Sequence, residues 1–229
     1  MIITIDGPVA TGKSTVAKRL ATAIGYIYFD TGAMYRAITY AIIKNHIPLD
    51  SPEELEKFLT SYAFDIKIKH GERRYFIGEE DVTNLIRMNE VTSQVSRVSA
   101  HPRIREKLML YQRDLAKGVN AVFEGRDMGS VVFPDAQLKI FLTGRDEVRA
   151  QRRFEEMKAK FPEESKDLTL EKALQDLRAR DEFDSHRETS PLTKAPDAIE
   201  VDTSDLSVDE VVFRILEVKD TRKSRQASA

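Results

Sequence analysis

Residues 7–15 combine small side chains with one lysine and adjacent hydroxyls in the spacing of a phosphate-binding loop. They are Gly7, Pro8, Val9, Ala10, Thr11, Gly12, Lys13, Ser14 and Thr15. Glycines let backbone N–H groups turn toward an anion, the lysine can reach the β- and γ-phosphates, and the Ser14 hydroxyl can hold Mg²⁺. We therefore predict that residues 7–15 bind the phosphates of a nucleotide and that Ser14 is the metal ligand.

The elements on either side of this loop are those that such a loop requires. Residues 2–5 form a β-branched run that predicts a strand, and a helical pattern follows Lys13. A helix that begins at the loop adds its N-terminal N–H groups to the anion site. The strand, loop and helix together favour a phosphate-binding loop over a chance glycine-rich turn.

Two further polar clusters each follow a predicted strand. The first contains Asp30, Thr31 and Arg36, and the second contains Arg126 and Asp127 between two glycines. Ligands of open α/β sheets bind at the carboxyl ends of the strands, so either arginine can meet an acceptor phosphate there. Two plainer interpretations stay open. The first cluster can be a helix cap with a solvated arginine, and the second can be an acidic surface turn.

A third group of charged residues is rich in arginine. Its members are Arg145, Arg149, Arg152, Arg153, Arg178, Arg180 and Arg187. Arg149, Arg152 and Arg153 have the i, i+3, i+4 spacing that places side chains on one helix face. Such a stripe is either solvated or, in a lid over a nucleotide, a clamp for the phosphates.

The remaining sequence narrows the classes of nucleotide-binding protein. Signalling GTPases read guanine with an Asn-Lys-x-Asp segment, and the nearest match, residues 193–196, ends in proline. A small-molecule kinase instead needs a second anion site and several arginines, which this chain has. Kinases for other acceptors, such as UMP or shikimate, stay open. So do a non-catalytic regulatory module that kept the fold and a nucleic-acid-associated ATPase.

The composition of the chain restricts the class of protein to which it can belong. The chain has 229 residues, 41% hydrophobic and 32% charged, with a net charge of −2 and no cysteine. It contains no apolar run of the roughly 18 residues that suggest a membrane span. We expect one cytoplasmic kinase domain with neither nucleic acid nor membrane as a partner.

Hydrophobic patterns predict a P-loop three-layer α/β fold with a five-stranded parallel sheet. The strands are predicted near 2–5, 26–30, 120–124, 137–142 and 197–201. The long gap after the second strand predicts an insertion, with a hairpin over 62–77 that turns at His70 and Gly71, and helices at 88–100 and 103–118. We expect a core of about 1–61, 101–155 and 190–222, an inserted monophosphate-binding region of about 62–100 and a mobile lid of about 156–189.

Taken together, these motifs resemble the bacterial cytidylate kinases, which belong to the P-loop nucleoside monophosphate kinases. The similarity covers nearly the whole chain. It rests on the segments at 3–15, 29–36 and 125–136, on Arg180-Asp-x-x-Asp-x-x-Arg187 with the following Ser190-Pro-Leu, and on those at 195–198 and 201–204. The resemblance implies ATP-dependent phosphorylation of CMP or dCMP, Mg²⁺ as the cofactor and a monomeric enzyme of pyrimidine nucleotide metabolism.

The resemblance also implies roles for individual residues. The CMP phosphate would meet Arg36, Arg126 and Arg180, the ribose would meet Asp184 and Arg187 with Thr31 nearby, and the cytosine would meet Ser96, Arg105 and Asp127. The expected catalytic set is Lys13, Arg126, Arg153 and Arg180. Asp30 or Glu124 is expected to reach the metal through water, and the contacts of the adenine are not assigned.

An ionised Asp127 is a physically reasonable reader of cytosine. The base carries an N4 amino donor where uracil carries an O4 acceptor, so a carboxylate attracts one and repels the other. The acceptor phosphate is already an anion and needs no general base. We therefore expect direct in-line transfer, driven by positioning and electrostatic stabilisation.

Overall fold

A computed structural model gives the structure of the protein for residues 1–69 and 72–227. The predicted hairpin turn at His70 and Gly71 lies outside the described residues. In chain order the elements are β1 (Ile2–Asp6), α1 (Lys13–Ile24), β2 (Ile27–Asp30), α2 (Thr31–Lys44), α3 (Pro52–Ser61), β3 (Phe64–Lys69), β4 (Glu72–Ile77), β5 (Glu80–Asp81), α4 (Asn89–Ala100), α5 (Pro102–Leu115), β6 (Ala121–Glu124), β7 (Leu138–Thr143), α6 (Asp146–Lys160), α7 (Leu170–His186), β8 (Ile199–Asp202) and α8 (Val208–Ala227).

The chain divides into two compact units. The first comprises Met1–Phe29 and Ala116–Ala229, and the second comprises Asp30–Leu115. In the part of the chain that the structure describes, no helix combines the length and apolar character needed to cross a membrane. The predicted division into core, insert and lid stays a prediction.

The first unit is built on a parallel sheet with the strand order β2-β6-β1-β7-β8. β1 pairs in parallel with β6 and β7, and β7 pairs in parallel with β8. All five strands lie within about two residues of their predicted positions, so the predicted five-stranded sheet is confirmed. Ile5 is in register with Glu124, and the N–H of Gly125 donates to the Ile5 carbonyl at 3.0 Å. The loop after β1 therefore begins beside the loop after β6.

A continuous apolar core fixes these strand ends. β1 contributes Ile3 and Ile5, which are fully buried, as expected for a central strand covered on both faces. α1 places Val16, Ala17 and Leu20 in the same core cluster, which also receives Val211, Val212 and Ile215 from α8. Burying such side chains stabilises the fold by roughly 1.5–3 kcal/mol each. The start of α1, where the phosphate-binding loop ends, is thus held by packing.

The second unit combines α2 to α5 with a three-stranded sheet ordered β3-β4-β5. The predicted hairpin is confirmed, because β3 and β4 pair antiparallel with Phe64 opposite Ile77. The short strand β5 was not predicted. Stacked and tilted aromatic rings pack around this sheet, namely those of Phe58, Tyr62, Phe64, Tyr75 and Tyr111.

The two helices predicted after the hairpin are present with small differences in their bounds. α4 covers Asn89–Ala100, and α5 starts at Pro102, where the fixed φ angle of proline suits a first helical turn. α5 ends at Leu115, three residues earlier than predicted. Gly118 adopts a left-handed φ of 70°, so the backbone has left the helical conformation before that residue.

The arginine-rich stretch folds as two helices, and the predicted lid of about 156–189 contains the end of α6 and all of α7. α6 and α7 pack against each other and are joined by residues 161–169. Thr169 caps the start of α7 by accepting a hydrogen bond from the Lys172 N–H at 3.1 Å. The structure therefore shows an ordered helical pair here, and mobility of this segment stays a prediction.

Candidate active site

The phosphate-binding loop leaves β1 through Gly7 and enters α1 through Gly12. A Cβ atom on Gly7 would lie 2.1 Å from the Leu142 carbonyl oxygen, and its φ of 143° is one that other residues rarely adopt. Gly12, with φ of 85°, is the N-cap of α1. The predicted glycine positions therefore have steric reasons, because the backbone must turn tightly beside β7 before the helix starts.

Lys13 lies inside this loop. Its ammonium donates to the Pro8 carbonyl and lies 3.4 Å from the Thr11 hydroxyl oxygen. Burial and the nearby positive charge of Arg126 lower the pKa of Lys13 well below its usual value, while Glu124, Asp181 and Asp6 act in the opposite direction. A phosphate in the loop would stabilise the charged ammonium further, because opposite charges attract strongly in a poorly hydrated site.

The backbone of Val9 is held by an ion pair that the sequence analysis did not identify. The Val9 N–H donates to Asp181 Oδ1 at 3.0 Å, and Arg149 Nη1 donates to the Val9 carbonyl at 2.9 Å. Arg149 and Asp181 also pair directly at 2.6 Å. α6 and α7 thereby fix the middle of the phosphate-binding loop.

The arginine stripe of α6 is not a uniformly solvated surface. Arg149 is buried, with its guanidinium bonded to the Gly144 and Val9 carbonyls and to two aspartates. Arg152 donates to the Thr203 side chain and carbonyl. Arg153, the predicted catalytic member, is half-buried and pairs with Glu156 at 3.2 Å. The three arginines therefore have different protein partners, and they do not form one uniform charged surface.

Four charged residues form a connected network beside the loop after β6. Arg126 Nε lies 3.0 Å from Asp184 Oδ2, and Arg187 Nη1 lies 3.8 Å from the other oxygen of Asp184. Arg187 Nη2 lies 3.8 Å from Asp127 Oδ1. Asp127, Asp184 and Arg187 are buried. The structure thus brings together most of the predicted CMP-binding residues of this unit, and Arg180 lies half-buried on the same helix as Asp184.

Another buried carboxylate, that of Asp6, lies at the end of β1. Asp6 accepts hydrogen bonds from the backbone N–H groups of Met128 and Gly129 at 2.9 and 2.7 Å. Burial raises the pKa of Asp6 to about 7, although these two hydrogen bonds oppose the rise. Asp6 was not among the predicted site residues. The only sequence signal was a carboxylate at the carboxyl end of the first strand.

In the second unit, Asp30 caps α2 and pairs with Arg36. Its two carboxylate oxygens accept from the Ala33 N–H at 2.8 Å and from Arg36 Nη2 at 3.2 Å. The helix-cap interpretation of this cluster is therefore correct for Asp30. The solvated-arginine part is wrong for Arg36, whose side chain is only 22% exposed. Thr31 is buried at the first position of α2.

The same unit holds the two predicted cytosine contacts of the inserted helices. Arg105 is 5% exposed, and its guanidinium lies 5.2 Å from the Tyr35 ring centroid. Arg105 Nη1 donates to the Ser99 carbonyl at 2.9 Å. Ser96 is half-buried on α4, one turn before Ser99, and its carbonyl accepts a hydrogen bond from the Ser99 hydroxyl. Arg105 is thus held in one orientation by both a cation–π contact and a hydrogen bond.

The chemistry of a magnesium site fits the first turn of α1. Ser14 is exposed there, next to the buried Lys13. Glu124 is buried and accepts a hydrogen bond from the Tyr28 hydroxyl at 2.9 Å. Within the described residues, no cluster of three or more acidic, histidine or cysteine side chains forms a ready metal cage. Mg²⁺ commonly keeps several waters and takes few protein ligands, so a single hydroxyl such as that of Ser14 is chemically suited to help hold it.

A parallel sheet whose first strand leads into this loop, next to a buried arginine–aspartate network, defines the chain as a P-loop kinase with a second anionic substrate. The chain belongs to the cytidylate kinase family, whose profile matches residues 3–221. It is 63% identical over 228 residues to a cytidylate kinase from Protochlamydia amoebophila, with 100% of both chains covered. A cytidylate kinase from Halalkalibacterium halodurans is 46% identical over 216 residues, covering 94% of this chain and 96% of that one. The resemblance noted from the sequence is confirmed.

A solved structure supports the fold independently of these sequence comparisons. The shikimate kinase from Bacteroides thetaiotaomicron superimposes with a TM-score of 0.51 at 12% sequence identity, covering 96% of this chain and 98% of that one. At this identity the likeness shows a shared fold and nothing about the acceptor.

Replacing Asp184 with asparagine should destabilise the first unit. The variant leaves Arg126 and Arg187 partly buried without their shared counter-charge, which typically costs about 3–5 kcal/mol. Urea unfolding should show this loss, whereas Asp205→Asn should change stability far less, because Asp205 pairs with Arg145 at the exposed surface. Equal stability of the Asp184 variant and the wild type would contradict a structural role for the network.

Proposed function

We propose that the protein transfers the γ-phosphoryl group of ATP to CMP or dCMP, giving ADP and CDP or dCDP. The main support for this proposal is the position of two segments in the first unit. The loop that holds Lys13 and the segment that holds Arg126 and Asp127 follow neighbouring, hydrogen-bonded strands. A phosphate-binding loop for the donor thus lies beside charged groups suited to the acceptor. Membership in the cytidylate kinase family supports CMP as that acceptor.

The transfer is direct and in-line, without a covalent enzyme intermediate. The attacking oxygen belongs to a phosphate that is already anionic, so no side chain has to remove a proton. The loop residues Gly7 to Thr15 hold the ATP phosphates. Lys13, Arg126, Arg153 and Arg180 stabilise the charge that develops on the transferred group. Fixed cations in a site that excludes water are effective because they need no reorganisation during the reaction.

Each unit, taken by itself, holds residues that suit contacts with CMP. In the first unit Arg126 and Arg180 bind the phosphate, Asp184 and Arg187 bind the ribose, and Asp127 binds the cytosine. In the second unit Arg36 binds the phosphate, Thr31 lies by the ribose, and Ser96 and Arg105 bind the base. Support comes from the burial of Asp127, Asp184, Arg187 and Arg105, because buried polar groups that lose their ligand partner discriminate strongly between substrates.

Magnesium accompanies the ATP. Ser14 is the protein ligand, and Glu124 is the better candidate for a water-mediated contact. Asp30 has both carboxylate oxygens engaged with Ala33 and Arg36. The ion neutralises charge on the β- and γ-phosphates when it is bound.

The protein acts as a cytoplasmic monomer in pyrimidine nucleotide metabolism. The net charge of −2 gives no field that would attract nucleic acid or an anionic membrane surface. The absence of cysteine from all 229 residues is compatible with a reducing compartment.

A coupled ADP-release assay tests the proposal. Mg-ATP is supplied with CMP, dCMP, UMP, AMP, GMP or shikimate in parallel. CMP and dCMP should give strong turnover and UMP weak turnover. A preference for another acceptor would keep the kinase class and reject the assignment of CMP. ADP release that is independent of any acceptor, or no release at all, would reject the kinase assignment.

Lys13→Ala should lower kcat by at least about 100-fold, because removing one preorganised charge from a transition state commonly costs that much. The fold should survive, since the core of α1 is formed by other residues. Lys18→Ala is the matched control, because Lys18 is exposed on the same helix. Near-normal turnover by Lys13→Ala would reject the role of Lys13 in catalysis.

Asp127→Ala should lower the ratio of kcat/KM for CMP to that for UMP by about 100-fold, because the variant removes the acceptor for the N4 amino group. The KM for ATP should change little. Asp135→Ala, at an exposed position eight residues after Asp127, is the control. An unchanged CMP-to-UMP ratio would show that Asp127 does not read the base.

A further inference from the structure

The segment that follows Asp127 forms one wide helical turn, Met128–Val132. The first two N–H groups of this turn, those of Met128 and Gly129, donate to the two carboxylate oxygens of Asp6. Asp6 is 4% exposed and stands at the end of β1, 122 residues before Met128. A carboxylate from a distant strand therefore satisfies N–H groups that the turn itself leaves open.

Asp127 occupies the position from which a side chain usually caps such a turn. Aspartate is among the residues preferred there, because its carboxylate accepts the open N–H groups. In the described part of the chain, the Asp127 side chain makes no capping hydrogen bond to its own turn. Its backbone carbonyl accepts from the N–H groups of Val131 and Val132, and its carboxylate lies 3.8 Å from Arg187.

We propose that Asp6 is a positioning residue for base recognition, because its two hydrogen bonds fix the turn that begins directly after Asp127 and so fix the backbone from which the Asp127 carboxylate reaches the cytosine. The inference rests on the proposed function of Asp127. Asp6 itself does not touch the substrate. Without Asp6, the N–H groups of Met128 and Gly129 lose their acceptors, and the Asp127 carboxylate, at the N-cap position of the same turn, can cap them instead of binding the base.

The backbone of the turn at Gly129 packs closely against β1 and β7, so a larger residue would displace the turn. A Cβ atom on Gly129 would lie 2.8 Å from Thr4 Oγ1 and 3.2 Å from Lys139 Cδ. Only glycine lets the backbone approach β1 and β7 closely enough for the Gly129 N–H to reach Asp6. The Thr4 hydroxyl is buried, and no hydrogen-bond partner for it is found among the described residues.

The charges around Asp6 favour the same arrangement. Asp6 and Asp127 repel each other, and Lys13 attracts Asp6. Arg187 attracts Asp127 from the side of α7. The repulsion and the attraction both hold the Asp127 carboxylate away from its own turn. Because the pKa of Asp6 is raised to about 7, the experiment is made at pH 8, where its carboxylate is mostly ionised.

The first test compares wild type with Asp6→Asn. The asparagine side chain has one carbonyl oxygen, which can accept a hydrogen bond from one of the two N–H groups. Its NH₂ group cannot accept from the second N–H and faces it as another donor. At pH 8 the ratio of kcat/KM for CMP to that for UMP should fall about tenfold, the worth of one lost hydrogen bond or slightly more. The KM for ATP should stay within about threefold. Asp205→Asn, at an exposed ion pair, is the control for loss of a negative charge.

A second pair of variants reaches the same turn without changing Asp6. Gly129→Ala should lower the CMP-to-UMP ratio by pushing the turn away from β1. Adding Thr4→Ala should restore part of the ratio, because it removes the nearest obstructing atom. Thr4→Ala alone should behave as wild type. These variants keep the proposal testable if Asp6→Asn does not fold.

Amide hydrogen exchange distinguishes failure of this inference from failure of the proposed function. In Asp6→Asn, exchange at Met128 and Gly129 should accelerate at least about tenfold relative to other buried amides of the same unit. If wild type shows no CMP preference, the proposed function fails, and the exchange rates alone decide whether Asp6 holds the turn. Unchanged exchange, or equal losses of kcat/KM for every acceptor without a change in their ratio, would overturn the inference.

Discussion

The structure depends on the pairing of charges that are buried at the carboxyl ends of the central strands. Lys13 lies there near Asp6 and Asp181, and Arg149 pairs with Asp181. Asp184 pairs with Arg126 and Arg187 in the same poorly hydrated region. Burying an isolated charge is costly, so each group needs a counter-charge or several hydrogen bonds. Removal of one member therefore affects several others. If these residues bind the substrates as proposed, their fixed charges are of the kind that electrostatic catalysis requires.

The same contacts that satisfy these charges also position the functional backbone. Asp181 and Arg149 hold the two polar groups of Val9 in the phosphate-binding loop. Asp184 holds Arg126 in the loop after β6, and Asp6 holds the turn after Asp127. Three carboxylates, from α7 and β1, thus hold the phosphate-binding loop and the segment after β6 within the first unit.

Much of the fold was predictable because it depends on local patterns. The β-branched runs gave the five strands, Gly7 and Gly12 marked the tight turns of the loop, and Pro102 marked the start of α5. The two-residue strand β5 is too short to carry a pattern of its own. The positions of Arg126 and Asp127 followed from the strand before them, since ligands gather at strand ends in such sheets.

The supporting residues were not predictable for a physical reason. Asp6 bonds to Gly129 across 123 positions and Asp181 bonds to Val9 across 172, so no spacing in the sequence links them. Helical periodicity placed Arg149 correctly on one face with Arg153 but could not show that Arg149 is buried against Val9.

The most direct test of base recognition is a crystal structure with CMP and a non-hydrolysable ATP analogue. It should place the cytosine N4 amino group within hydrogen-bond distance of Asp127, and a cytosine bound away from Asp127 would contradict this assignment.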